Sequence, residues 1–307
     1  MDVKMDVIHS QGDDALARVF VGRLEDGARI EFAESIQPPV PREDKWVLIV
    51  STLKGCPVRC PICDAGGEYR GRLSADEILS QVDFLVRRRH PEGPVGVRRL
   101  KIQFARMGDP AFNDAVIEVL RRLPERFEGP KIMPSISTIA PFGRDRFFED
   151  LLAVKRELYA PGLFQLQFSL HSTCERARRD LVPARTWSFS EMARFGERFT
   201  ARGDRKVTLN FAPARGAPLD PGALAQVFAP RLFLVKLTPI NPAAAAGRSG
   251  LVGLLDPADP RGCEAVAARF RATGFDTILS IGELGENEIG SNCGMYVSAA
   301  GGIAAAT

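Results

Sequence analysis

The sequence has little of several features that define other classes of protein. Its 307 residues include only three histidines, two tryptophans and three tyrosines. No apolar run approaches the roughly 20 residues that a transmembrane helix needs, and the N-terminus has no signal-peptide core. The net charge is only +3, which permits a nucleic-acid or phosphate partner without arguing for one. We therefore expect no membrane association and a cytoplasmic location.

From residue 46 onwards, strand and helix patterns alternate along an ordinary globular composition. Strand candidates lie at residues 46–52, 100–104, 131–137, 164–170, 206–212 and 232–238, with a shorter one at 277–281. Helix candidates begin with a capping box at Ser74 and Glu77 and continue at residues 113–123, 144–156, 188–202, 220–228 and 263–273. Six consecutive strand–helix units require parallel strands with helical crossovers. The pattern predicts an α/β fold, either an open doubly wound sheet or a full or partial barrel.

The two ends of the chain differ from this pattern. Residues 1–45 predict a small β extension, with hairpin strands at 18–24 and 29–32 followed by a proline-rich linker at 37–41. The last residues are small, so we expect a flexible tail at 296–307. The predicted organisation is thus an extension with its linker at 1–45, a barrel with a C-terminal cysteine loop at 46–295, and the tail.

Three of the six cysteines are crowded into one short segment. Cys56, Cys60 and Cys63 have the spacing C-x3-C-x2-C, and three thiolates on one loop can face a single iron–sulfur cluster. Structural zinc prefers four ligands, normally as two separated pairs, and neither a second pair nor a histidine lies nearby. The segment therefore favours a 4Fe-4S cluster with one open iron, with zinc or incidental buried cysteines as the alternative.

Polar residues and glycines follow the predicted strands at their carboxyl ends, where α/β folds place their functional sites. The candidates are Gly108, Asp109, Ser137, Ser169, His171 and Asn241. Each kind of residue also has a structural interpretation. A serine at a strand end often makes only local hydrogen bonds, a single histidine is often a core residue, and Asp109 can cap the following helix.

The cysteine loop resembles the signature of the radical S-adenosylmethionine (SAM) superfamily, although Ile62 stands where an aromatic residue is usual. Further motifs occur in the order in which the RNA adenine methyltransferases of the RlmN and Cfr family carry them. They are Ser51-Thr52-Leu53-Lys54-Gly55-Cys56, Met107-Gly108-Asp109-Pro110, Ile136-Ser137-Thr138, Ser169-Leu170-His171, Pro239-Ile240-Asn241-Pro242 and Asn292-Cys293-Gly294-Met295. Together they make the chain similar to that family over almost its whole length.

This resemblance implies a partial TIM-type (β/α)6 barrel that binds a 4Fe-4S cluster and SAM. Cys56, Cys60 and Cys63 would bind the cluster, and an external electron donor such as flavodoxin would reduce it. Gly108 and Asp109, the latter in place of the family's usual glutamate, would hold the amino end of SAM. The remaining contacts to SAM would come from Ser137, Ser169, His171 and Asn241.

Cys293 is the residue that the resemblance makes most informative. In this family the corresponding cysteine is methylated by one SAM molecule, and a radical made from a second SAM abstracts hydrogen from the S-methyl group. The resulting carbon radical then adds to an electron-poor adenine carbon, which ordinary polar methyl transfer cannot modify. The alternative is that Cys293 is only a small buried residue.

The sequence departs from the family in two ways. A further family cysteine, which resolves the covalent enzyme–RNA intermediate, is replaced by Ile49, and only Cys174 or, less well placed, Cys263 could substitute. We also expect no counterpart of the family's N-terminal RNA-binding accessory domain. The arginine groups at 87–89, 98–99, 121–122 and 176–179 have no interleaved aromatic residues, so we interpret them mostly as solvated helix faces.

Because of these departures, the sequence allows either RNA or a smaller molecule as the substrate. It also contains no signal for the oligomeric state. We predict a radical SAM methyltransferase that uses Cys293 as its methyl carrier. A radical SAM enzyme that abstracts hydrogen directly from a small molecule or peptide is the main alternative, and a non-enzymatic scaffold is a further one.

Overall fold

The computed structural model describes residues 5–36 and 38–299. Ten strands in this part of the chain form one sheet, and two short strands form a separate ribbon. The strands are β1 (Asp6–Gly12), β2 (Ala17–Arg23), β3 (Arg29–Ser35), β4 (Trp46–Val50), β5 (Leu53–Lys54), β6 (Gly71–Arg72), β7 (Arg99–Phe104), β8 (Lys131–Thr138), β9 (Gln165–Ser169), β10 (Val207–Phe211), β11 (Phe233–Leu237) and β12 (Asp276–Leu279).

One or two helices follow each strand from β6 to β12, and a 3-10 turn at Pro110–Phe112 precedes the second helix. The helices are α1 (Ala75–Arg89), α2 (Ala115–Arg122), α3 (Asp145–Leu158), α4 (Glu175–Leu181), α5 (Phe189–Phe199), α6 (Pro221–Val227), α7 (Ala244–Ser249), α8 (Pro260–Arg271) and α9 (Leu284–Ile289). None of the helices in the described residues has the length and apolar character to cross a membrane.

The main sheet has the order β1-β2-β3-β4-β7-β8-β9-β10-β11-β12. From β4 to β12 every neighbouring pair of strands is parallel. Within the described residues β12 is not hydrogen-bonded to β4, so the parallel part stays open as a partial barrel. The predicted α/β class is confirmed, and the open barrel places all the parallel strand ends at one mouth.

The N-terminal extension is larger than the sequence indicates. Two of its strands correspond to the predicted hairpin, but β1 adds a third antiparallel strand. The extension also continues the main sheet, because β3 pairs with β4 with Ala33 opposite Ile49. The residues of β1 are only half-buried or exposed, so they lack the alternation of apolar and polar residues that identifies a strand in a sequence.

The apolar core lies between the parallel strands and the surrounding helices. Alternate residues of the strands, such as Leu100, Ile102 and Phe104 of β7, belong to one buried cluster with residues of the helices. The first helix begins at the predicted capping box, in which the Glu77 amide donates to Ser74 Oγ at 3.1 Å. The helices therefore pack on the outer face of the barrel.

The opposite face of the same strands is polar. On this face Gln167 of β9 donates to the hydroxyls of Ser135 and Ser137 on β8, at 3.2 and 3.1 Å. Buried Lys101 of β7 also lies on it. Because residues alternate between the two faces of a strand, the apolar residues pack against helices while the polar ones line the inside of the barrel.

Candidate active site

The cysteine segment forms a loop between β5 and β6, directly after the first parallel strand. Gly55 begins the loop with φ +81°, and a Cβ at this position would lie 2.1 Å from the carbonyl oxygen of Glu68. Only glycine therefore allows the two ends of the loop to approach so closely. The loop projects from the carboxyl end of the sheet, which is where the sequence predicts it.

The three cysteine thiols of the loop are half-buried and interact with one another electrostatically. Burial raises the pKa of Cys56, raises that of Cys60 to about 12, and raises that of Cys63 well above its usual value. Among the residues that the structure describes, no group of three or more His, Cys, Asp or Glu side chains is arranged to hold a metal ion. The thiols thus share one loop without being drawn around a common centre.

The loop after β7 carries Gly108 and Asp109. Gly108 has φ +87°, and a Cβ there would lie 2.4 Å from the side chain of Leu53. Asp109 is buried, and its carboxylate accepts from the amides of Ala111 and Ile139 and from the hydroxyl of Thr138. Burial outweighs these hydrogen bonds and raises the pKa of Asp109 to about 6. The structure therefore shows the capping role that the sequence left open for Asp109.

Ser137, Ser169 and His171 lie at the ends of neighbouring strands β8 and β9, so the fold brings them together. His171 has the unusual φ of +63° for a residue other than glycine. Its Nδ1 accepts a hydrogen bond from the Ala212 amide at 3.0 Å. Burial lowers the pKa of His171 to about 4, so near neutral pH its ring is uncharged and carries its proton on Nε2.

The C-terminal loop docks on the cysteine loop through backbone contacts. The Asp64 amide donates to the Gly294 carbonyl at 2.8 Å, and a Cβ on Gly294 would lie 2.7 Å from the carbonyl oxygen of Ile62. Neighbouring Cys293 is exposed and interacts electrostatically with Cys63. The structure thus brings together two cysteine segments that are far apart in the sequence.

Asn241 connects this loop to the last part of the barrel. Its side-chain amide donates to the Cys293 carbonyl at 3.1 Å. Immediately after it, helix α7 begins with the amides of Ala244 and Ala245 donating to the carboxylate of Asp64. The loop after β11, the cysteine loop and the C-terminal loop therefore support one another.

A buried ion pair, which sequence reasoning missed, holds the C-terminal segment. Arg106 and Glu31 are paired at 2.7 Å with side-chain exposures of 3% and 0%. Arg106 also donates to the carbonyls of Gly290 and Ser291, and its guanidinium lies 4.6 Å from the centre of the Tyr296 ring. Buried Tyr296 lies within the predicted flexible tail, so that prediction is wrong at its first residues. Residues 300–307 of the tail lie outside the described residues.

Arg178 corrects the prediction that the group at 176–179 is a solvated face. Its side chain is buried, and it donates to the carbonyls of Ile139 and Ser169 and to the hydroxyl of Thr186. Burial lowers the pKa of Arg178 to about 10. No periodic signal marks Arg178, because the carbonyls that bind it belong to other strand ends.

The candidate substitutes for the missing cysteine do not belong to the apolar cluster around the position that it would take. Ile49 packs in a small apolar cluster with Ala33 and Val297. Cys174 is half-buried at the start of α4, and Cys263 is buried in α8. Neither thiol belongs to the cluster around Ile49.

Comparison with solved structures shows the fold of the protein. A crystal structure of a radical SAM methyltransferase from Sphaerobacter thermophilus matches with a TM-score of 0.74 and 22% identity, over 95% of this chain and 81% of that one. Together with the open parallel sheet, this likeness shows that the chain has the same fold as that protein.

Curated relatives then define the family. The probable dual-specificity RNA methyltransferase RlmN of Frankia alni is 30% identical in an alignment of 303 residues, which covers 95% of this chain and 67% of the relative. The corresponding protein of Frankia casuarinae is 31% identical in an alignment of 298 residues, which covers 93% of this chain and 65% of the relative. No family model matches the chain. The chain belongs to the RlmN-like family of radical SAM methyltransferases, and it spans about two thirds of the length of these relatives.

Proposed function

We propose that this chain methylates an unreactive carbon of an RNA adenine, with Cys293 as the methyl carrier and with a 4Fe-4S cluster and SAM as cofactors. The observation that carries the proposal is the docking of the C-terminal loop on the cysteine loop, which puts exposed Cys293 beside Cys63. RNA is named as the substrate class because the relatives carry the name of RNA methyltransferases.

The chemistry of the cysteine loop fits the proposed cluster. Cys56, Cys60 and Cys63 offer three soft sulfur ligands on one loop, and Fe–S clusters are held by such thiolates. When bound, the cluster would supply the electron that cleaves SAM. Burial keeps these thiols protonated near neutral pH, so the three sulfurs must lose their protons and move together to hold the cluster.

The strand ends around the mouth would hold SAM in place. Neutral His171 offers an Nε2–H donor there, and Gly108 leaves space because it has no side chain. Ser137, Ser169 and Asn241 offer further polar groups, and Asp109 offers a carboxylate that is already engaged by the 3-10 turn and Thr138. We propose that the Asp109 carboxylate mainly fixes the shape of the strand ends around the mouth. It would contact SAM only through the lone pairs of its oxygens that are not already used in hydrogen bonds.

Cys293 would receive a methyl group before the substrate does. In this step the exposed Cys293 thiol would lose its proton to solvent and its sulfur would bond to the methyl carbon, while the bond between this carbon and the SAM sulfur would break and S-adenosylhomocysteine would leave. Asn241 holds the Cys293 carbonyl, and Gly294 holds the loop against the cysteine segment. Because the side chain is exposed while its backbone is fixed, it can face both the cofactor and a bound base.

The test is the fate of the methyl group in a Cys293→Ala variant. Protein purified from cells should carry one extra methyl group on Cys293, as seen by mass spectrometry. The variant should lose this group and all RNA methylation, while dithionite-driven cleavage of SAM to 5′-deoxyadenosine continues. Cys263→Ala, which removes a cysteine buried in α8, should retain the methyl group and the activity.

Two results would contradict the proposal. Methylation of RNA by the Cys293→Ala variant would exclude the carrier role. Production of 5′-deoxyadenosine and oxidised substrate without S-adenosylhomocysteine would instead favour direct hydrogen abstraction from a small molecule or peptide.

A further inference from the structure

Beside the active-site mouth, two loops that are distant in the sequence pair with each other. The loop after β8 and the loop after α4 form an antiparallel bridge between Pro141 and Thr186. Next to this bridge, the Phe142 amide donates to the Arg185 carbonyl at 2.9 Å. Phe142 and Arg185 are therefore held side by side on a short, hydrogen-bonded ribbon rather than on two independent loops.

The two side chains of this ribbon form a flat, exposed pair. The guanidinium of Arg185 lies 4.2 Å from the centre of the Phe142 ring, and Phe142 is 54% exposed. Large apolar side chains are usually buried, so an aromatic ring that is both held in place and open to solvent invites a planar ligand. We call Phe142 and Arg185 the stacking pair.

The stacking pair borders a cavity of about 580 Å³. This volume lies within the range of pockets that take small molecules. Its charged lining residues are Arg178, Arg179, Arg185, Glu175 and Glu191.

The charges of this cavity leave two cations available. Glu191 accepts from the amide and hydroxyl of Ser188, and Glu175 accepts from the Phe189 amide. Neither Arg179 nor Arg185 forms an ion pair with any residue that the structure describes. A ligand that combines a planar ring with negative charge would therefore find both partners at this place.

Arg178 connects the cavity to the active site. It lines the cavity and donates to the Ile139 and Ser169 carbonyls at the ends of β8 and β9. A chain of nucleotides that presents one base to the mouth could thus lay a neighbouring nucleotide in the cavity.

We propose that the stacking pair binds an unpaired nucleotide next to the adenine that is modified, with its base stacked on Phe142 and Arg185 and its phosphate near Arg179. This rests on the proposed function, because it assumes RNA as the substrate. Aromatic and arginine side chains are the usual platforms for single-stranded bases, and arginines are the usual partners of phosphates. The sequence shows no aromatic residue among the arginines of 176–179, and only the fold brings Phe142 to them.

The test uses the full chain and a short, fluorescein-labelled, adenine-containing single-stranded oligoribonucleotide. Phe142→Ala should weaken its binding roughly 5- to 100-fold, as expected for loss of one stacked base, while Phe142→Tyr should bind like the wild type. Arg179→Ala should weaken binding at low salt and reduce the salt dependence by about one phosphate contact. Arg146→Ala is the matched control, because Arg146 is 96% exposed on α3 and makes only a 3.8 Å pair with Asp150.

Each outcome decides the proposal. Equal affinities of the Phe142→Ala, Arg146→Ala and wild-type proteins, or no binding of the oligoribonucleotide to the wild type, would overturn it. Methylation of Cys293 and cleavage of SAM are measured in parallel without RNA. If they fail while the Phe142 effect persists, the proposed function is wrong and the nucleotide site remains. If they succeed while the Phe142 effect is absent, only the nucleotide site is wrong.

Discussion

Replacing Arg106 by methionine should release the C-terminal segment that carries Cys293. Methionine keeps much of the apolar stem but removes the guanidinium, which contacts Glu31, Gly290 and Ser291. Glu31 would then remain fully buried without its cation. Breaking a buried pair in this way costs about 3–5 kcal/mol, which is a large part of the roughly 5–15 kcal/mol that stabilises a typical domain.

The loss should appear in two measurements. Urea unfolding should show the free energy of unfolding lowered by about 3–5 kcal/mol. Hydrogen–deuterium exchange should show faster uptake in residues 290–298, which Arg106 and Glu31 hold from both sides. Arg122→Met is the matched control, since the Arg122 side chain is 37% exposed and its pairs with Asp76 and Glu118 lie at the surface. That variant should lose no more than about 1 kcal/mol.

A double variant keeps the test decisive if Arg106→Met alone does not fold. Glu31→Gln combined with Arg106→Met removes both charges and retains an oxygen that can accept from Ser298. The double variant should fold and be more stable than Arg106→Met, because no unpaired charge stays buried. If the free energy of unfolding of Arg106→Met instead lies within about 1 kcal/mol of the wild-type value and hydrogen–deuterium exchange in residues 290–298 is unchanged, the buried pair does not hold the segment.

Two further predictions concern buried titratable groups. Burial lowers the pKa of His171 from 6.5 to about 4. As the pH falls from 6.5 to 4, the histidine is therefore protonated in the unfolded chain but still neutral in the folded one, and the folded protein loses stability. Relative to His171→Asn, the wild type should lose about 3 kcal/mol of unfolding free energy between pH 7 and pH 4. The variant is needed as the reference because Asp109, with its raised pKa, has the opposite effect in both proteins. If urea unfolding at pH 4, 5.5 and 7 gives the same pH dependence for both proteins, the assignment is wrong. Lys101 is 5% exposed and has its pKa lowered by burial and by neighbouring cations such as Lys236. Lys101→Met should raise the unfolding free energy by about 1 kcal/mol or more and the melting temperature by about 2–4 °C. The gain should be larger at low pH, because the unfolded lysine is then charged and its burial costs more. An unchanged or lower melting temperature would contradict this prediction.

The strands and most helices of the barrel were predictable because their signals are local. The capping box at Ser74 and Glu77 and the apolar periodicity of the segments define elements without knowledge of their neighbours. Strand β1 was missed because its half-exposed residues carry no such periodicity. The short helices α4, α7 and α9 were missed because they have only six or seven residues and no side-chain N-cap, whereas the equally short α6 begins after the capping residue Asp220.

Some residues of the candidate site could also be found in the sequence, and others could not. The cysteine loop and the polar strand ends could be found in the sequence, because parallel strands put their carboxyl ends at one mouth wherever the helices lie. Buried Arg178 could not, since its partners are carbonyls of other strand ends. The capping role of Asp109 stood only as an alternative until the structure showed both carboxylate oxygens engaged.

The α/β class and the three cysteines of one loop could be found in the sequence, because they depend on residues that are close together or repeat at a fixed period. The family and the partial barrel were implied by the resemblance of the ordered motifs. The tertiary structure alone decided that Cys293 lies beside Cys63, that Arg106 and Glu31 hold the segment carrying it, and that Phe142 meets Arg185. These contacts join residues that are far apart along the chain, and their distances follow from how the strands and loops pack, which no local pattern encodes.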